Sequence, residues 1–334
     1  MSHDISVVTS YNQRISRNPQ TKTVSTLCKK QGDRNVFNIV DGASQFGGLK
    51  IYLYHENSYD SRKFGTELDL EKFPNGVFPI DIFECWEGID KLEKNWLDEF
   101  VNGSTSPFNK ATLEGGQYQL SARYWFRKVA AIYHYSKICK TRYLLWLDSD
   151  IKVKRKIDDH FMKFVSRHEI CAIRRPGRTN HQKYKQFIGS PPETGVICFD
   201  LHSEKVQKFL NRYFYYFIDG DAFSEPRWDD SWALGKILQE NKDSGLKVGV
   251  FKNKFYIDKK RKPIEGGIEH YRDDDGNAKI RYVPGAGVVS KFDIYNDYFH
   301  HYKCANDEWR YPAKDFMTED EIMFFEKTKR KFKK

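Results

Sequence analysis

The stretch that most restricts how this chain can fold is Arg142-Tyr-Leu-Leu-Trp-Leu147, followed at once by Asp148-Ser-Asp150. A continuous apolar run of this length reads as a central strand covered on both faces. Just before it, Gln119 to Ile138 carries Ala122, Trp125, Phe126, Val129, Ile132 and Tyr133 at three- and four-residue spacing, which predicts an amphipathic helix. A helix feeding a buried strand implies an α/β sheet. The two carboxylates then sit at the C-terminal end of that strand, where open α/β sheets receive ligands.

The rest of the pattern extends this frame. Ile5 to Ser10 reads as a first buried strand delivering a polar loop, and Leu49–Tyr54 and Ile80–Cys85 as two more. Helices are expected over residues 35–46, 157–167, 203–218 and 230–240, and strands over 170–173, 195–199, 247–250 and 254–257. Asp274-Asp-Gly-Asn277 predicts a hairpin turn. Strands alternate with helices, but the order after residue 190 is mixed, so the expected fold is one main α/β domain on a mixed sheet. Residues 1–304 form it, with a nucleotide-binding half to about residue 155 and an acceptor half beyond. Residues 305–334 are left as an extension with a basic tail.

Charge and cysteine usage narrow the function classes. The formal net charge is +10, but Lys327, Lys329, Arg330, Lys331, Lys333 and Lys334 supply six of those charges in the last eight residues. The body is therefore only modestly basic, so no nucleic-acid partner is expected, and the tail implies at most weak contact with a membrane surface. Six scattered cysteines without a CxxC fit free thiols in a reducing compartment better than a disulfide framework or a zinc site. No run approaches ~18 apolar residues. The expectation is a soluble cytoplasmic protein without a spanning anchor.

Asp148 and Asp150 are two residues apart, so an extended chain puts both on one side, and the turn at the strand end lets both reach one point. Carboxylates that close repel unless a positive charge stands between them. A hard divalent cation, Mn²⁺ or Mg²⁺, meets that need with oxygen ligands and leaves positions for phosphate. A bare DxD is as readily a turn or a helix cap. Its place after a buried strand favours the metal.

Phe126-Arg-Lys-Val-Ala-Ala-Ile-Tyr-His-Tyr135 followed by Tyr143-Leu-Leu-Trp-Leu-Asp-Ser-Asp-Ile151 resembles the helix, strand and DxD segment of GT-A fold glycosyltransferases, and Ile5-Ser-Val-Val-Thr-Ser-Tyr-Asn12 is similar to that fold's first strand and nucleotide-binding loop. The resemblance covers residues 4–304 in outline. It implies a GT-A-like, Rossmann-type mixed sheet flanked by helices, a nucleotide-sugar donor and a glycan or glycoconjugate acceptor. It also implies that Asp150 touches the metal directly while Asp148 serves metal, ribose or sugar. His301, in His300-His-Tyr302, matches the late histidine that completes the metal shell.

Further positions take roles from the same resemblance or from their place in the chain. Glu193, in a Glu-Thr-Gly turn after Pro191-Pro192 and just before a predicted strand, matches a segment that contacts donor sugar or acceptor, or is an ordinary turn. Asp229 and Asp230 open a predicted helix, where capping explains one acid; in inverting enzymes of this fold a carboxylate at a helix start is the general base. That leans the reading toward inversion, leaves retention open, and leaves open which of the two acts. Arg123, Arg127 and Lys128 could present positive charge to donor phosphates or stay on a solvated helix face. Thr9, Tyr11 and Asn12 are nucleotide contacts by loop position. Two other classes remain: a metal-dependent nucleotidyltransferase, against which stands the lack of a Gly-rich phosphate loop, and a non-catalytic carbohydrate- or nucleic-acid-binding protein.

Overall fold

A computed structural model describes residues 4–10, 48–64, 70–73, 75–112, 117–148, 151–153, 155–173, 192–251, 267–272, 278–283 and 298–301. Its strands are β1 (Ile5–Ser10), β2 (Lys50–His55), β3 (Val77–Asp81), β4 (Tyr143–Leu147), β5 (Ile151–Val153), β6 (Ile170–Ile173), β7 (Glu193–Asp200), β8 (Val248–Phe251), β9 (Gly267–Arg272), β10 (Ala278–Val283) and β11 (Phe299–His301). The α-helices are α1 (Asn57–Phe64), α2 (Trp96–Asn102), α3 (Gln117–Leu120), α4 (Ala122–Ile138), α5 (Asp159–Val165), α6 (Glu204–Ile218) and α7 (Asp230–Glu240).

Seven strands join in the order β3-β2-β1-β4-β7-β6-β8. The pairs β1–β2, β2–β3, β1–β4 and β6–β8 are parallel, whereas β7 is antiparallel to both of its neighbours. This is the mixed α/β sheet flanked by helices that the sequence predicts. The chain moves from β1 outward to β2 on one side and returns to β4 on the other. The strand order therefore reverses between β1 and β4, and in open α/β sheets ligands bind beyond the C-terminal ends of the strands at such a point.

Period-two alternation in β4 divides the core. Leu144 and Trp146 pack with Phe126, Val129, Phe214 and Leu234 from the long helices, while Tyr143, Leu145 and Leu147 pack with Phe161, Phe251 and Phe299 on the opposite face. All five β4 residues are buried, as its unbroken apolar run requires. α4 covers the first face because its apolar positions recur with the helical period. Its ring stack with α6, Tyr133 on Phe214 at 4.1 Å, joins the two helices.

Several local expectations shift. β3 ends at Asp81 rather than running to Cys85, because the Asp81 carboxylate accepts hydrogen bonds from the Phe83 amide and from the Ser58 amide and hydroxyl, turning the chain. β7 begins at Glu193, so the segment read as a turn before the strand lies inside it, with Glu193 and Thr194 buried. β9 and β10 pair antiparallel on either side of the expected hairpin turn. The turn itself, the helix expected over 35–46 and the strand expected over 254–257 lie outside the described residues. Cys85, Cys139, Cys171 and Cys198 are free thiols. Among the described residues no helix is long and apolar enough to cross a membrane.

Candidate active site at the sheet switch point

Asp148 follows β4 at this switch point, its amide donating to the Gly195 carbonyl at 2.8 Å. That bond exists because β7 runs against β4, which brings the N-terminal end of β7 to the edge where β1 and β4 finish. Glu193, Thr194 and Gly195 therefore arrive beside Asp148. The register of β6 against β7 slips between Ala172 and Ile173. Such irregularities re-aim side chains at the rims of sheets.

From α4, Lys128 reaches into this edge. Its ammonium lies 2.7 Å from Oδ1 of Asp148 and 2.6 Å from Oδ2 of Asp230, and it donates at 3.1 Å to both the carbonyl and the hydroxyl of Thr194. The Thr194 hydroxyl donates in turn to Oδ2 of Asp230 at 2.7 Å, and Nε1 of Trp146 donates to Oδ1 of Asp148 at 2.7 Å. Burial favours the neutral amine. The charges of Asp148 and Asp230 outweigh it and hold Lys128 protonated well above the usual lysine range. Four elements, α4, β4, β7 and α7, thus meet on one nitrogen.

The two acids at the start of α7 do different work. Asp229 is the cap: its Oδ1 accepts from the Trp232 amide at 3.1 Å, and both carboxylate oxygens are held by Arg227, at 2.7 and 2.9 Å. Burial raises its pKa despite the opposing pull of Arg227. Asp230 faces Lys128, and its backbone carbonyl accepts from Tyr213 at 3.0 Å. Among the described residues no hydrogen bond reaches Oδ1 of Asp230 or Oδ2 of Asp148.

The remaining candidates fall as follows. Thr9, at the end of β1, is fully buried, and its hydroxyl has no hydrogen-bond partner among the described residues. Tyr11, Asn12 and Asp150 lie outside the described residues. His301 belongs to β11, which pairs antiparallel with β5 and sets His301 opposite Ile151, the residue after Asp150. Arg123 is half-buried on α4. Arg127 turns away from Lys128 to a buried pair with Glu56, N to O 2.5 Å, and its second guanidinium nitrogen donates to Asn102 at 3.3 Å. The rings of Phe83 and Tyr124 lie at 5.0 and 5.1 Å from the guanidinium. No three His, Cys, Asp or Glu side chains converge on one point among the described residues.

Thr194, Trp146 and Glu56 escape the sequence analysis although each shapes a charged contact. A signal exists for Trp146 alone: two residues before Asp148 on a strand, it shares that residue's side. Thr194 and Glu56 are brought in by strand pairing, which local pattern does not encode.

A divalent cation fits what is present. Asp148 is the more exposed of the two acids that meet Lys128, and among the described residues one of its carboxylate oxygens is uncommitted; β11 lays the backbone of His301 opposite Ile151, three residues on. Oxygen and imidazole donors suit Mn²⁺ or Mg²⁺.

No family model and no curated protein sequence matches the chain. Among solved structures it is similar to mouse xyloside xylosyltransferase 1 in its apo form, with 15% identity, 74% of this chain and 84% of that chain covered, and a TM-score of 0.43. A likeness at that level carries no activity across to this chain.

Proposed function

We propose that this chain is a divalent-cation-dependent glycosyltransferase that moves a sugar from a UDP- or GDP-linked donor to a hydroxyl of a glycan or other acceptor. The observation that carries this reading is the meeting of Asp148, at the end of β4, with Asp230, in the first turn of α7, on the ammonium of Lys128 at the switch point of the sheet. On this reading the nucleotide diphosphate lies beside Asp148, beyond the strand ends where open α/β sheets bind ligands, and the acceptor approaches Asp230. The GT-A resemblance of the helix, strand and DxD segment supports the same assignment.

On this reading Asp148, Asp150 and His301 hold the cation. When bound, it neutralises the negative charge that builds on the departing nucleoside diphosphate. Asp230, not Asp229, is the candidate base, because the oxygens of Asp229 are occupied by the helix cap and by Arg227. The acceptor oxygen bonds to the anomeric carbon as the bond from that carbon to the diphosphate oxygen breaks, and the acceptor proton passes to Oδ1 of Asp230. Thr9, Tyr11 and Asn12 meet the nucleotide, and Arg123 and Glu193 line the donor side. Arg127 and Lys128 act through the carboxylates they hold.

Release of nucleoside diphosphate from a panel of nucleotide sugars, with and without Mn²⁺, tests the proposal. We expect Mn²⁺-dependent release with at least one donor, reduced to background by Asp150→Ala. Pyrophosphate exchange with a nucleoside triphosphate in place of that release would refute it and favour nucleotidyl transfer.

A further inference from the structure

Lys128 stands where chemistry would otherwise call for metal. Two carboxylates from different elements, Asp148 on β4 and Asp230 on α7, each place an oxygen within hydrogen-bond distance of its ammonium. Thr194 adds two more oxygens at 3.1 Å. Oxygen ligands from two acids, a hydroxyl and a carbonyl are the set a hard divalent ion takes. Enzymes that work on phosphates often place two such ions about 3.5–4 Å apart, bridged by a shared carboxylate. Asp148 has the geometry of a shared carboxylate: Oδ1 is engaged by Lys128 and Trp146, while Oδ2 is uncommitted among the described residues.

We infer that Lys128 is a built-in counter-ion that fills the position of a second divalent cation, so that the site admits one metal ion and not two. This inference rests on the reading above for the one ion at Oδ2 of Asp148. It makes Lys128 a positioning residue with a consequence for specificity. A monovalent ammonium tethered to α4 leaves the pair of acids with one negative charge to spare, enough to hold a single cation against a diphosphate. A two-ion site of the kind used for phosphoryl chemistry is closed off. Nothing in the sequence around Lys128 announces this, because the three partners come from residues 148, 194 and 230.

The test is Mn²⁺ alone, titrated into the full chain and counted by electron paramagnetic resonance of the free ion. We expect one tight Mn²⁺ per wild-type chain and per Lys128→Arg chain, two per Lys128→Ala chain, and one again in Lys128→Ala/Asp230→Asn. Removing Lys128 leaves buried carboxylates uncompensated, so thermal unfolding of Lys128→Ala is followed in parallel. We expect a lowered midpoint that millimolar Mn²⁺ restores, with a larger gain than in wild type. A Lys128→Ala chain that binds no more Mn²⁺ than wild type, or that stays unfolded in Mn²⁺, overturns the inference. A wild-type chain that binds none overturns instead the metal in the proposed function, and a Lys128→Ala chain that then binds one still supports the counter-ion.

Discussion

Arg127 and Lys128 are neighbours on α4, both buried and both paired to acids, yet the two charges are balanced differently. A step of one residue turns a helix by about 100°, so the side chains enter separate parts of the molecule. Arg127 meets one carboxylate among the described residues, Glu56, in a shell of aromatic rings. Lys128 meets two, so among the described residues one negative charge is left over at the sheet edge. The first arrangement joins α4 to the residue that follows β2. The second has room for a further positive partner among the described residues, which is the physical reason for proposing chemistry there.

The sharpest way to break this contrast is at the acid that faces Lys128. Asp230→Asn keeps the shape and the hydrogen bond from Thr194 but removes the charge and the proton acceptor. We expect kcat to fall by about 10²- to 10⁴-fold with the far-ultraviolet circular dichroism unchanged. A variant with wild-type kcat would remove Asp230 from catalysis.

On the other side the effect should appear in stability. Arg127→Met removes the guanidinium paired with the buried Glu56 carboxylate, and a loss of about 3–5 kcal/mol is expected in urea unfolding. Adding Glu56→Leu should recover most of that loss, since a buried pair replaced by apolar groups of similar size is often near neutral. If the double variant is no better than the single one, Arg127 does more than balance Glu56.

The smallest effect concerns acid sensitivity on the same structural side. His134 lies between the Tyr54 hydroxyl and the Cys85 carbonyl, each at 2.8 Å. A carbonyl can only accept, so Nε2 carries the proton and Nδ1 accepts from Tyr54, which is the neutral ring. Burial lowers the pKa of His134, and lowers that of His55 against the pull of Asp81. A lowered histidine pKa gives stability that is complete above the unfolded value, about 6.5, and is lost as pH falls toward the folded value. The slope is at most about 1.4 kcal/mol per pH unit for each ring. Unfolding free energies between pH 7 and 5 should show it, and His134→Gln should flatten it; an unchanged slope in that variant would assign the acid sensitivity elsewhere.

Much of the frame was legible in the chain because it depends on local periodicity. β1, β6 and α7 fall where the residues predict them, α4 and β4 nearly so, and Asp148 lies at the strand end that the apolar run implies. Less legible were elements whose limits are set by side-chain capping. Asp81 stops β3 by taking the Phe83 amide, and an apolar Ile82-Phe83 pair gives no hint of it. Glu193-Thr194 reads as a turn after two prolines, yet it is held in a strand by the pairing of β7 with β4 and β6.

The sequence by itself determined an α/β sheet, a buried strand and acids at its end, because period-two and helical patterns are written in neighbouring residues. It named Lys128, Asp148 and Asp230 separately, with no means of joining them. Only the tertiary structure decided that α4, β4 and α7 converge, that Asp229 caps while Asp230 faces Lys128, and that Lys128 and Arg127 serve different carboxylates. The physical reason is that a charge buried far from water must find its partner in space, and that partner comes from whichever element the fold packs beside it.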